Sequence, residues 1–230
     1  MKTVGIIGGI APESTIQYYR LIVAGYREHK RDGNYPSILI NSINMKQMLD
    51  LIGAKRLAEA IQYLKGEIDR LAQAGADFGV LASNTPHLVF DDLQAISPIP
   101  LISIVRATCQ RADELGLRRV GLFGTRFTMQ GGFYDSEFGK RGMAIVLPDD
   151  DDQDYIHQKY MAELVNGTIL DETKAGLLRV ASRLKREQKI QGLVLGGTEL
   201  PLILKDGDDP EIPFLDTTAI HVQSIIEQLL

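Results

Sequence analysis

Thiols are almost absent: one cysteine, Cys109, stands in 230 residues. A lone cysteine cannot close an internal disulfide, so a reducing cytoplasm is the expected setting. Long apolar runs are missing too. Nothing approaches the roughly 20 residues of a membrane span, and "MKTVGIIGGIAPEST" lacks the long apolar core and cleavage site of a signal peptide. No membrane partner is expected. Positive charge is scarce, with 25 Lys and Arg against 30 Asp and Glu, a net charge of -5 and a pI near 5.4. That argues against nucleic acid, which needs a basic surface. No His/Cys cluster has zinc spacing, and "KDGDDPEIP" (205–213) lacks the spacing of a calcium loop. No metal is expected. "GIIGGIA" (5–11) is not G-x-G-x-x-G, the second strand ends in Asn41-Ser42-Ile43-Asn44 without an Asp, and there is no Walker A motif. No nucleotide cofactor is expected.

What is present is ordinary globular material, 44% hydrophobic and 24% charged, and long enough to bury a sizeable core. Apolar runs closed by turns alternate with helical spacing. "TVGIIGG", "SILINSI", "DFGVLAS" and "PIPLIS" read as strands. Helices are expected over 12–30 and, from Leu57, Ala60, Ile61, Leu64, Ile68 and Leu71, over 56–75. Strands separated by helices imply parallel sheets with right-handed crossovers.

The pattern then restarts. Val4-Gly5-Ile6-Ile7-Gly8-Gly9 matches Val120-Gly121-Leu122-Phe123-Gly124-Thr125. Val80-Leu81-Ala82-Ser83 matches Val194-Leu195-Gly196-Gly197, and Pro100-Leu101-Ile102-Ser103 matches Pro213-Phe214-Leu215-Asp216. Three matches in one order and at nearly one spacing indicate duplication. The expected fold is α/β: two domains related by a pseudo-twofold axis, each a mostly parallel sheet flanked by helices. Open parallel sheets bind ligands beyond the carboxyl ends of their strands, so a cleft between the domains is the expected site. Its strand ends carry Gly8-Gly9, Asn84-Thr85, Gly124-Thr125 and Thr198-Glu199. Small residues, hydroxyls and helix N-termini suit a carboxylate or another small anion.

These stretches resemble the aspartate/glutamate racemase family, the pyridoxal-phosphate-independent amino-acid racemases. The resemblance runs along the whole chain through "VGIIGGIAPEST" (4–15), "SNTPH" (83–87), "GLFGTRFTM" (121–129), "GGTELPLIL" (196–204) and "IPFLDTTAIH" (212–221). It implies a small amino acid or dicarboxylate ligand, no cofactor, a homodimer, and a first domain of 1–98 plus 212–230 around a second of 99–211. In the family the two corresponding strand ends read Cys-Asn-Thr and Gly-Cys-Thr-Glu. One thiolate removes the α-proton and the other thiol protonates the opposite face. A thiol suits this work because its pKa lies near 8.5 and falls at a helix N-terminus. Here the two positions are Ser83 and Gly197, and both cysteines are missing.

The resemblance further assigns the ligand's carboxylates to Asn84, Thr85, Thr125 and Thr198, with Ile10 and Ala11 closing over it. Helix capping accounts for the same Thr and Asn residues equally well. Where aspartate-specific relatives carry an Arg and a Lys, this chain has Met48 and Val165, and Arg126 is the charged residue nearest a strand-end motif. His87, four residues after Ser83, is a candidate partner for its hydroxyl, although a structural role fits its context better. His221 is read as a packing or hydrogen-bonding group, and Cys109 as a packed thiol. "LPDDDDQDY" (147–155) reads as a capped helix start. The sequence thus predicts a family member that binds a small amino acid or carboxylate but is inactive as a two-cysteine racemase. The alternatives are an isomerase or lyase using Glu199 or a bound water as base, or an ordinary racemase altered at its active site.

Overall fold

The computed structural model describes residues 2–230. The chain forms two compact units. The first runs to Ile104 and takes in His221–Leu230; the second is Val105–Ile220. The first contains β1 (Thr3–Gly8), α1 (Pro12–Lys30), β2 (Ser37–Ser42), α2 (Met45–Gly53), α3 (Leu57–Gln73), β3 (Phe78–Leu81), α4 (Phe90–Ile96) and β4 (Leu101–Ile102). Then follow α5 (Ile104–Glu114), β5 (Arg119–Gly124), α6 (Arg126–Gln130), α7 (Phe133–Gly139), β6 (Ala144–Val146), α8 (Asp150–Ala162), α9 (Asp171–Gln188), β7 (Gly192–Gly196), α10 (Leu200–Ile203), β8 (Phe214–Asp216) and α11 (Thr217–Leu229).

Each unit holds a four-stranded parallel sheet. The orders are β2-β1-β3-β4 and β6-β5-β7-β8. The three sequence matches therefore pair equivalent strands: β1 with β5, β3 with β7, and β4 with β8. In the first sheet Val4 registers with Phe78 and Ile6 with Val80. Side chains alternate across a strand, so these four share a face. They form a core with Tyr18, Ile22 and Tyr26 of α1 and Val222, Ile225, Ile226 and Leu229 of α11. Burying each aliphatic side chain of such a core contributes about 1.5–3 kcal/mol. Gly5 points the other way, where Leu71 of α3 lies close against it. Gly121 repeats this in the second unit, against Leu184 of α9 and Ile190.

The sheet pairing moves the expected domain boundaries. β4, assigned by sequence to 99–211, pairs with β3; β8, assigned to the first domain, pairs with β7. Only the part of α11 from His221 joins the first unit. The 205–213 loop stays within the second unit. It is held to α9, where Lys174 pairs with Asp208 at 2.8 Å and Lys185 with Asp209 at 2.6 Å, and it leads into β8. The acidic run caps a helix as read: the Asp149 carboxylate accepts from the Asp152 amide at 2.9 Å.

Candidate functional site

In the first unit, Gly8-Gly9-Ile10-Ala11 joins β1 to α1. Gly9 has φ +81°, and a Cβ there would lie 2.6 Å from the Ile43 carbonyl oxygen. Both facts demand glycine. Pro12 starts α1, where a missing N–H costs nothing. The turn is fixed from within the unit. The Gly9 amide donates to Thr15 Oγ1 at 2.8 Å, and Ser14 Oγ donates to the Ala82 carbonyl at 2.7 Å. Ile10 and Ala11 are buried, 4% and 3% exposed. These bonds tie the β1 turn to the end of β3, where Ser83, Asn84 and Thr85 follow, all buried.

Thr85–Val89 is a 3₁₀ helix. Within it His87 is buried. Its Nε2 accepts from the Ile104 amide at 3.2 Å, so the ring proton sits on Nδ1 and is donated to the Ser83 carbonyl at 3.0 Å. The ring stacks on Phe90 with centroids 4.9 Å apart. His221 is also built in. Its Nδ1 accepts from the Tyr18 hydroxyl at 2.7 Å and its Nε2 donates to the Ile102 carbonyl at 3.0 Å. Burial pushes its pKa from 6.5 to about 4.

In the second unit, Gly124-Thr125 ends β5. Thr125 caps α6, its hydroxyl accepting from the Thr128 amide at 3.3 Å. Arg126 is exposed and pairs with Asp154 at 2.6 Å. Gly197, Thr198 and Glu199 follow β7 and are buried, the last two each 1% exposed. The Glu199 carboxylate accepts from Thr198 Oγ1 at 2.9 Å and from the Tyr160 hydroxyl. Burial, and then the Glu199 carboxylate beside it, holds the Tyr160 phenol well above its usual pKa. Tyr160 is the residue that sequence reading misses. It lies on α8, and a Cβ built on Gly197 would be 2.9 Å from both its Cζ and its hydroxyl oxygen.

The remaining residues are accounted for separately. Met48 is fully buried in α2, and Val165 sits half-buried in a short 3₁₀ turn over Leu164–Asn166. Cys109 lies within α5, buried, with Sγ 3.6 Å from the Glu137 carbonyl oxygen. Burial pushes its pKa up to about 11. Among the described residues no cluster of three or more His, Cys, Asp or Glu could hold a metal. No helix there is long and apolar enough to cross a membrane.

The profile of the family described as Asp/Glu/Hydantoin racemase matches residues 7–225. The broad specificity amino-acid racemase RacX of Bacillus subtilis (strain 168) is 24% identical over 239 residues, covering 99% of this chain and 98% of that protein. A Yersinia pestis crystal structure, provisionally described as an Asp/Glu racemase, superposes with TM-score 0.90 at 33% identity, over 100% of this chain and 99% of the other. An aspartate racemase homologue from Pyrococcus horikoshii OT3 gives TM-score 0.86 at 34% identity, again over 100% and 99%.

Proposed function

The chain belongs to the Asp/Glu/Hydantoin racemase family, and on that premise we propose that it binds a small amino acid or carboxylate at its strand ends without two-thiol racemization. The observation that carries this is the place of its single cysteine. Cys109 is buried within α5, while Ser83 and Gly197 stand where β3 and β7 end. Inverting an α-carbon needs a base on one face and an acid on the other. A serine hydroxyl is far too weak an acid to supply an alkoxide unaided, and glycine offers no group at all. Asn84, Thr85, Thr125 and Thr198 would hold carboxylate oxygens through side chains and nearby backbone amides, and Ile10 and Ala11 would lie over the ligand. Glu199 has the role of organising its turn, because its carboxylate already accepts two hydroxyls. A name such as broad specificity amino-acid racemase for a full-length relative favours an amino acid as ligand.

The test uses the wild-type chain with L- and D-aspartate, L- and D-glutamate and a wider amino-acid panel. Calorimetric titration should show binding of at least one. The α-proton signal in D₂O should persist for all. Protein-dependent loss of that signal would mean a base other than a thiol works here. Absence of binding across the panel would sink the ligand reading.

A further inference from the structure

A chain whose second thiol position is glycine would be expected to leave a hole there. Gly197 does not. The ring of Tyr160 lies against it, so closely that a Cβ would fall 2.9 Å from Cζ and from the hydroxyl oxygen. Ordinary carbon contacts need about 3.5–4.0 Å. The ring is also held in place. Tyr160 is 6% exposed and its hydroxyl donates to Glu199, which is itself buried and accepts from Thr198 as well. The far end of a flexible side chain could swing aside, but a buried ring bonded through its hydroxyl cannot do so without breaking that bond.

We infer that Tyr160 is the specificity-determining residue at the end of β7. Its ring takes the space that any side chain on residue 197 would need, so Tyr160 and Gly197 act as one steric unit. A chain with this unit cannot present a thiol, or any other acid–base group, from position 197. Chemistry that needs proton transfer on both faces of an α-carbon is barred, and what remains open is binding or one-sided chemistry. This rests on the reading that Ser83 and Gly197 occupy the family's two thiol positions. It adds that replacing both with cysteine is not enough to make a racemase.

The experiment compares two full-length variants. One carries Ser83→Cys and Gly197→Cys; the other adds Tyr160→Ala. Both are incubated with L- and D-aspartate, L- and D-glutamate and the wider panel in D₂O. In an active variant a thiolate takes the α-proton and the opposing thiol returns a deuteron drawn from solvent. The double variant should leave the α-proton signal at the wild-type rate, and the triple variant should exchange it at least about tenfold faster, a difference of one decade in rate. Equal exchange by both, or none by a triple variant that still binds a panel amino acid, would overturn the inference. A second arm needs no ligand. Gly197→Ala should lower Tm by on the order of 5 °C in the wild-type background and leave it unchanged in a Tyr160→Ala background. Additive shifts in that cycle would overturn the steric unit. Lack of binding by wild type would remove the ligand reading alone, because the thermal cycle still decides whether Tyr160 and Gly197 are coupled.

Discussion

His87 bonds to the carbonyl of Ser83, and the ring proton it donates there is fixed on Nδ1 by the Ile104 amide on Nε2. Both ring nitrogens are thereby committed to backbone. A general base for Ser83 would need a ring nitrogen free to accept from Oγ. Ser83 is therefore expected to stay unlabelled by a fluorophosphonate probe under conditions that fully label a serine hydrolase, read by peptide mass spectrometry. A covalent adduct on Ser83 would show an activated hydroxyl and remove this account. His87→Ala should instead cost stability. It strips the Ile104 N–H and the Ser83 carbonyl of a buried partner, at about 1–3 kcal/mol, measurable by urea unfolding.

The pH dependence of stability should carry the signature of His221. Its folded pKa is about 4 against the ordinary 6.5. Between these values the unfolded chain takes up a proton that the folded chain refuses. Stability is therefore full above about pH 7 and falls as pH drops through this window, by on the order of 3 kcal/mol in all. His221→Gln should be less stable at pH 7.5, because it disturbs the bonds to Tyr18 and Ile102. Its urea midpoint should, however, vary less between pH 7 and pH 4. Identical slopes for the two proteins would show that other groups carry the acid sensitivity.

The duplication was legible because it is written in the strands, and each matched segment is an equivalent strand of one of the two sheets. The match of 213–216 with 100–103 falls on equivalent edge strands: β8 pairs with β7, Leu193 opposite Phe214 and Leu195 opposite Asp216, as β4 pairs with β3. Family analogy sent the same strand to the first domain and was wrong. Register with a neighbouring strand, not position along the chain, decides where a short strand sits. The His87–Ser83 proximity was legible from their spacing, but not its chemistry. Only the 3₁₀ geometry of 85–89 shows that the ring meets the carbonyl. Tyr160 could not be read at all. It is 39 residues from Glu199, and with Ile156 it looks like the ordinary buried face of an amphipathic helix.

Equivalent glycines of the repeat should respond unequally to substitution. A Cβ on Gly5 would lie 2.9 Å from Ala76 Cβ and 3.2 Å from Leu71 Cβ, atoms fixed to their backbones. On Gly121 the nearest atoms are Ile190 Cδ1 at 2.9 Å and Leu193 Cδ1 at 3.0 Å, which are side-chain ends that can turn away. Overpacking costs about 1–3 kcal/mol. Gly5→Ala should fall at the upper end and Gly121→Ala at the lower. Urea unfolding of the two variants compares them directly. A larger loss for Gly121→Ala would mean that the second sheet packs more rigidly than its side-chain ends suggest.

Cys109 should behave as a core residue rather than a reagent. It is fully buried, and burial raises its pKa to about 11. At pH 8 that leaves on the order of one thiolate in a thousand, against roughly a quarter for a thiol of pKa 8.5. Burial then slows access further, so reaction must wait for an opening of the structure. Ellman's reagent should therefore release much less than one equivalent of chromophore from the native protein over minutes, and one full equivalent in guanidinium. Rapid stoichiometric release from the native protein would mean that α5 exposes its thiol. It would also reopen the possibility that this chain has a usable thiolate, on which the two-thiol argument depends.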